Sequence, residues 1–305
     1  MKNNALSFVS WTFALSYLYA ALFYYVFGIR SGSGYLAMAM GYMWIPGLVA
    51  IAHYWREKRS FRTWKLLVKP NRWFLFAWLV FLLLQFVSIP VTMLWPGTSF
   101  SFYMTDFFSQ YESLISPEEL DAMRQQVASN PWFPLLMMVV QSLAAAVTIN
   151  LLAALGEELG WRGYLHEKLI SRGFWQCSFI TGVIWGLWHA PLILQGHNYP
   201  SFPVLGVLLM TVWCILLSPL FTLIREKSGS VIAASIAHGS LNASIGISLV
   251  YITGGHVLWN GFHHLSGFTV LALVNLVIWK SRIYRLSNPE ESKNHNGIAH
   301  DPLLQ

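Results

Sequence analysis

VLGVLLMTVWCILLSPLFTLI, residues 204–224, runs for 21 positions without one charged side chain. At about 1.5 Å per residue a helix of that length spans the roughly 30 Å of a bilayer's hydrocarbon core. Outward from it, seven further apolar stretches occur, at 6–28, 35–54, 73–95, 135–156, 175–195, 231–252 and 266–280. Composition agrees: 55% of the 305 residues are hydrophobic and only 10% charged, against about 25% charge in soluble domains. The expected fold class is an all-α integral membrane protein of about eight transmembrane helices. Residues 1–285 form its polytopic membrane domain, and 286–305 a polar, disordered cytoplasmic tail.

Lys and Arg in short loops stay on the cytoplasmic side. With both termini inside, 17 of the 19 basic residues are cytoplasmic, including the run Arg56, Lys58, Arg59, Arg62, Lys65, Lys69 and Arg72, and only Arg30 and Arg124 lie outside. The opposite orientation reverses nearly all of them. The net charge of +6 therefore reflects topology in a cell membrane rather than nucleic-acid binding. The first stretch exceeds a signal-peptide core and ends without a small-x-small cleavage site, so it reads as an uncleaved span. Cys177 and Cys214 match no metal or disulfide spacing and read as small core residues.

Outside the spans, Ser116-Pro117-Glu118-Glu119 is a helix-start signature, which predicts a short external helix ending before Asn130-Pro131. The basic segment from Trp55 to Trp73, interleaved with aromatics, suits a surface helix against anionic lipid headgroups. The first three spans hold no internal acid or base and read as scaffold or lipid-facing helices. From about residue 135, polar groups enter the spans themselves.

Three constellations there carry chemistry, because an ionisable group at membrane depth costs roughly 2.5 to 3.5 kcal/mol on insertion scales. In GEELGWRGYL (156–165), Glu158 precedes Arg162 by four residues, the favoured order for an intrahelical ion pair. Glu157 projects about 100° away, free to act as a general base. Taken alone this motif equally suits the polar end of a span. In GVIWGLWHAPL (182–192), His189 lies deep in the fifth span with Trp185 one turn before it. Pro191 deprives the carbonyl of residue 187 of its helical partner. A single buried histidine also fits plain helix-to-helix hydrogen bonding. In AASIAHGSLNAS (233–244), His238 and Asn242 share a face among small residues, which permit close helix approach, and Asn242 can donate to a developing oxyanion. The remaining histidines, including His53, His166, His197, His263 and His264, read as surface residues. No HExxH zinc helix occurs, so a peptide-cutting site has to be assembled from separate helices.

The order Glu-Glu-x-x-x-Arg, aromatic-x-x-x-His, His-x-x-x-Asn on successive late helices resembles the CPBP family of intramembrane proteases, which includes CAAX prenyl endopeptidases and bacteriocin-processing or immunity proteins. The resemblance covers about residues 135–252, the CPBP-like catalytic core, and GEELGWRGYL and WGLWH look like the bacterial branch. Trp185 stands where many members have Phe. The resemblance implies that Glu157 activates water, His189 helps to hold it, and His238 with Asn242 stabilises the oxyanion. Glu158 and Arg162 match a supporting pair.

Metal dependence stays open. Glu157, His189 and His238 could form an open Glu/His/His zinc site or polarise water alone, and the lack of a further nearby carboxylate to act as base favours the metal-free route. With the spans as drawn, Glu157, His238 and His189 sit at different depths and cannot meet. The expected remedy is a fourth helix that continues through Arg162 to about Leu169, a fifth that begins later, and a cavity open to the cytoplasm. The expected function is an intramembrane endopeptidase acting on a membrane-associated or lipidated peptide. A non-catalytic scaffold for a sensor kinase or secretion component is the alternative, and a proton-coupled transporter the third reading.

Overall fold

The computed structural model describes residues 2–28, 32–60, 64–66, 68–112 and 115–285; the expected tail, 286–305, lies outside them. Helix α1 (Lys2–Ala21) runs into a π-helical turn, and α2 (Gly32–Arg56) and α3 (Arg72–Thr92) follow. A short strand β1 (Thr98–Phe100) and helices α4 (Thr105–Tyr111) and α5 (Pro117–Ser129) make up the long connection to α6 (Trp132–Ala146). Next come α7 (Ile149–Glu158), a π-helical stretch (Leu159–Leu165), α8 (His166–Leu169) and a single 3-10 turn (Ile170–Arg172). The remainder is α9 (Phe174–Trp188), α10 (Ala190–Ile193), α11 (Pro203–Ser228), α12 (Val231–Ser244), α13 (Ile247–Val250), β2 (Ile252–Gly254) and α14 (Leu265–Ser281).

The protein is an all-α multi-pass membrane protein. Among the described residues, five helical segments are long and apolar enough to cross a bilayer, or six if the bent pair 132–146 and 149–172, meeting at 48°, is one span. The other two apolar stretches, around α9 and α14, are helical but shorter. Large apolar side chains line the outside, among them Leu36, Leu83, Leu208, Leu273 and Val277, each more than half exposed. Water would not tolerate so extensive an apolar exterior, but acyl chains solvate it.

The short helix between the third and fourth spans forms as its signature predicts. The Ser116 hydroxyl accepts a hydrogen bond from the Glu119 amide, Pro117 opens the helix, and Ser129 ends it. No α-helix forms among the described residues of the basic segment 57–71, contrary to the surface helix read from its composition. Tertiary partners hold it instead: Trp64 stacks on Tyr54 at 5.3 Å, and the Lys65 carbonyl accepts from the Val231 amide. The sequence also carried no signal for the two-stranded antiparallel ribbon that pairs Thr98 with Gly254 and joins two distant connections.

Small residues set the helix spacing around the late helices. A Cβ on Gly239 of α12 would lie 2.6 Å from the Ala146 carbonyl oxygen, so α12 seats against the break between α6 and α7. Gly182 and Gly186, one turn apart on α9, likewise meet the α11 backbone at Ile215 and Thr211. This is the close approach that the Ala, Gly and Ser content of 233–244 predicted.

The two ends of the bundle differ in charge. One end joins Lys168 to Glu57 at 2.8 Å, Arg59 to Glu167 at 3.2 Å, and the Lys227 ammonium to the Arg285 carbonyl. The other holds the ribbon, the Tyr35–His197 hydrogen bond of 2.8 Å, and the Tyr199 hydroxyl bonded to the His263 carbonyl.

Candidate active site

Glu157 and Glu158 sit where α7 passes into the π-helical stretch. Such wide turns are rare and cluster at functional sites. The fourth helical run continues through Arg162 to Arg172, as the expected remedy required, but the fifth begins at Phe174 rather than later. The groups meet instead because the run is broken at 147–148, and α12 fills the notch.

The ion pair forms as the spacing predicts: Arg162 Nη1 donates to Glu158 Oε1 at 3.1 Å, both side chains essentially inaccessible. The same oxygen accepts from His238 Nδ1 at 2.8 Å. The guanidinium also donates to Ser218 Oγ at 3.2 Å and lies between the rings of Trp185 and Phe221, 4.6 and 4.5 Å from their centroids. Charge, hydrogen bonds and aromatic faces together make this buried cation tolerable.

Among the described residues, Glu157 has no cationic neighbour bonded to it. Its Oε2 accepts from the indole of Trp185 at 2.7 Å and from that of Trp161 at 3.3 Å, and Oε1 has no hydrogen-bond partner among the described residues. Trp185 is thus a direct ligand of the carboxylate as well as a shield. His189 donates from Nδ1 to the Trp185 carbonyl at 2.7 Å, which in the neutral ring leaves Nε2 as an acceptor. His238 is likewise held through Nδ1. Glu157, His189, His238 and Asn242 all line one cavity of about 270 Å³. Of the four, Asn242 is the exposed one.

Several groups were not read from the sequence. Tyr42 and Met43 of α2 line the cavity, the Tyr42 hydroxyl donates to the Trp188 carbonyl at 2.6 Å, and the Trp188 indole donates to Ser16 of α1 at 2.8 Å. The Tyr17 hydroxyl caps the Leu187 carbonyl, at 2.8 Å, which Pro191 leaves unpaired. The first two helices are therefore part of the site's frame and not only scaffold. A search for ionisable groups passes over hydroxyls. Trp161 was legible, since it follows Glu157 by the same four residues that separate Glu158 and Arg162.

The cavity also includes His197 and Asn198 of the α10–α11 connection. The surface reading fails for His53, His166, His263 and His264, which are buried; His166, for example, is held by Glu226 at 2.7 Å. Cys177 and Cys214 are buried and free, as read.

Among the described residues, no three His, Cys, Asp or Glu side chains come close enough to hold a metal ion. As placed, Glu157, His189 and His238 are not gathered into such a group.

Residues 133–244 match the family model described as "Type II CAAX prenyl endopeptidase Rce1-like". A 50-residue stretch is 50% identical to CAAX prenyl protease 2 of Methanococcus maripaludis, covering 16% of this chain and 18% of that protein's length. These matches bear out the CPBP-family resemblance of the three motifs.

Proposed function

We propose, from the premise of a CPBP-family core over residues 133–244, that the chain is an intramembrane endopeptidase in which Glu157 activates water. The observation that carries this reading is the shared cavity: Glu157, His189, His238 and Asn242, from three separate helical runs, line the same space. Scaffold packing alone gives no reason for a carboxylate, two imidazoles and an amide to converge there.

In the proposed reaction the free side of Glu157 takes a proton from water while His189 Nε2 accepts the water's second hydrogen bond. The two indoles on Oε2 fix the carboxylate plane, so its orientation needs no adjustment during the reaction. The oxygen of that water attacks the scissile carbonyl carbon. His238, as the imidazolium whose Nδ1–H is held by Glu158, donates from Nε2–H to the oxyanion as it forms, together with the Asn242 amide. Glu157 then passes its proton to the departing nitrogen, the C–N bond breaks, and acid and amine products leave. Each step is drawn without a metal, and chelator-insensitive cleavage is expected.

The test compares wild type with Glu157→Gln, purified in detergent or nanodiscs, on a library of peptides and prenylated or acylated peptides. Loss of a general base lowers rates by about 10²–10⁴-fold, so the variant is expected to cleave at least a hundredfold more slowly while binding the same ligands. A prenylated C-terminal peptide is the first substrate to try, given the description of the matching family. Identical cleavage by both proteins, or by neither, would sink the reading and favour a scaffold.

A further inference from the structure

Apart from the four groups used in the proposed reaction, the polar side chains of the cavity wall divide into committed and uncommitted ones. The Tyr42 hydroxyl donates to the Trp188 carbonyl, the Trp185 indole to Glu157 and the Trp188 indole to Ser16. His197, Asn198 and Trp213 are left over. Among the described residues, the Asn198 side-chain amide and the Trp213 indole have no hydrogen-bond partner, and His197 is bonded only through Nδ1. We propose that these three donors form a subsite for a carboxylate of the bound peptide, and that it selects which peptides the cavity takes. The inference rests on the endopeptidase reading above for the peptide as ligand.

The free nitrogen of His197 is a donor. The Tyr35 hydroxyl lies 2.8 Å from Nδ1 and has no other acceptor among the described residues, so it donates there and the neutral ring carries its proton on Nε2. The Trp213 indole is donor only, and it is buried, where unpaired donors are rare. An ionised carboxylate is acceptor only and takes several donors at once, whereas a main-chain amide brings a donor of its own with each carbonyl. The molecule already pairs other imidazoles in this way: His166 is held by Glu226 at 2.7 Å and His238 by Glu158 at 2.8 Å. Among the described residues no carboxylate does this for His197. The ligand supplies it.

The surroundings strengthen such a bond. Leu192, Met210, Leu241 and Ile245 make the remaining wall apolar, and hydrogen bonds to an ionised group gain in such a setting. Glu157 is the one carboxylate in the wall, and like charges repel, so the ligand's anion is kept on the α10–α11 connection while the scissile bond is left to Glu157. At about 270 Å³ the cavity lies just below the roughly 300–1,000 Å³ of ordinary ligand pockets, which suits a short stretch of peptide. The carboxylate is supplied either by the peptide's C-terminus or by an Asp or Glu side chain within that stretch.

The experiment uses the full-length protein in nanodiscs and a fluorescent farnesylated CAAX-type peptide in three forms: the C-terminal acid, the C-terminal amide, and the amide with glutamate as its last residue. Binding is read by fluorescence anisotropy on Glu157→Gln, which keeps the peptide intact, and cleavage on the wild type. The acid is expected to bind at least tenfold more tightly than the amide. His197→Phe and Asn198→Ala, each added to Glu157→Gln, are expected to bring that ratio toward one while the affinity for the amide stays the same, a pattern that a folding defect does not produce. Trp213→Phe, which removes only the N–H, is expected to weaken the acid alone. Recovery of affinity by the glutamate form identifies a side-chain carboxylate as an acceptable source, and no recovery identifies the C-terminus; both support the subsite. Equal binding of acid and amide, a preference that survives both substitutions, or binding of none of the three overturns the inference. Wild-type cleavage that treats acid and amide alike overturns it as well and leaves the endopeptidase reading intact. Carboxylate-dependent binding without cleavage of any form defeats the endopeptidase reading and leaves the subsite standing.

Discussion

Glu158 holds two partners on one oxygen, and this sharing couples the ion pair to His238. Removing one member of a buried charge cluster leaves the others uncompensated, at a cost of about 3–5 kcal/mol. Arg162→Met is therefore expected to destabilise the protein by that amount, read as a lowered unfolding midpoint in detergent, and to lower activity through His238 although Arg162 never touches the substrate. Arg162→Lys is not a rescue, since a point charge cannot serve Glu158 and Ser218 from one planar fork. At Trp185 a milder effect is expected. Trp185→Phe keeps the aromatic ring but deletes the 2.7 Å donor to Glu157. Hydrogen bonds to charged groups are worth about 1.5–3 kcal/mol, so kcat should fall at least tenfold with KM nearly unchanged. An equal rise in KM would mean that the indole binds substrate instead of orienting the carboxylate. The Glu158–Arg162 pair was legible in the sequence because both residues ride on one helix. The Trp185–Glu157 bond was not, since it spans 28 positions and depends on how two helices face each other.

Helices α9 and α11 lie close because Gly182 and Gly186 offer no side chain at their crossing. Gly186→Leu would press on the Thr211 backbone and force the helices apart, carrying His189, three residues later, out of line. Overpacking of this kind costs about 1–3 kcal/mol or more, and the expected outcome is a lower melting temperature together with loss of cleavage. Retained activity would mean that α9 can slide without moving the imidazole. Pro191 breaks the same helical run just beyond His189, and the freed Leu187 carbonyl is taken up by Tyr17 from α1. The break was readable from proline chemistry alone, but its cap lies 170 residues away and no local pattern points to it. The notch at 147–148 is a similar case. No proline marks it, and its use becomes apparent only where Gly239 of α12 enters beside the Ala146 carbonyl.

Across the molecule, a histidine cluster beside the cavity, His263 and His264 buried and His197 half-buried, should respond to pH. Burial holds His263 well below its usual 6.5, with His264 beside it adding to the effect, and it lowers His264 and His197 in the same direction. The folded rings bind fewer protons than the unfolded chain below about pH 6.5. Their contribution to stability is complete above that value and is lost progressively as the pH falls toward their lower folded values. Unfolding midpoints measured at pH 7.5 and 5.0 are expected to drop at the lower pH, and His263→Phe is expected to shrink the difference. A midpoint that rises on acidification would contradict this assignment.

Membrane class, the uneven distribution of Lys and Arg, and the four-residue pairs Glu158–Arg162 and Glu157–Trp161 could all be read from the chain alone. Each depends on composition or on neighbours within one helical run, where a fixed rise and turn per residue convert spacing directly into geometry. The meeting of His238 with Glu158, the indole of Trp185 on Glu157 and the tyrosines of the first two helices belong to the tertiary structure. They follow from helix crossings set by glycine contacts and from a break in the fourth run. Contacts between distant helices depend on where whole surfaces fit, and spacing along the chain does not encode that fit.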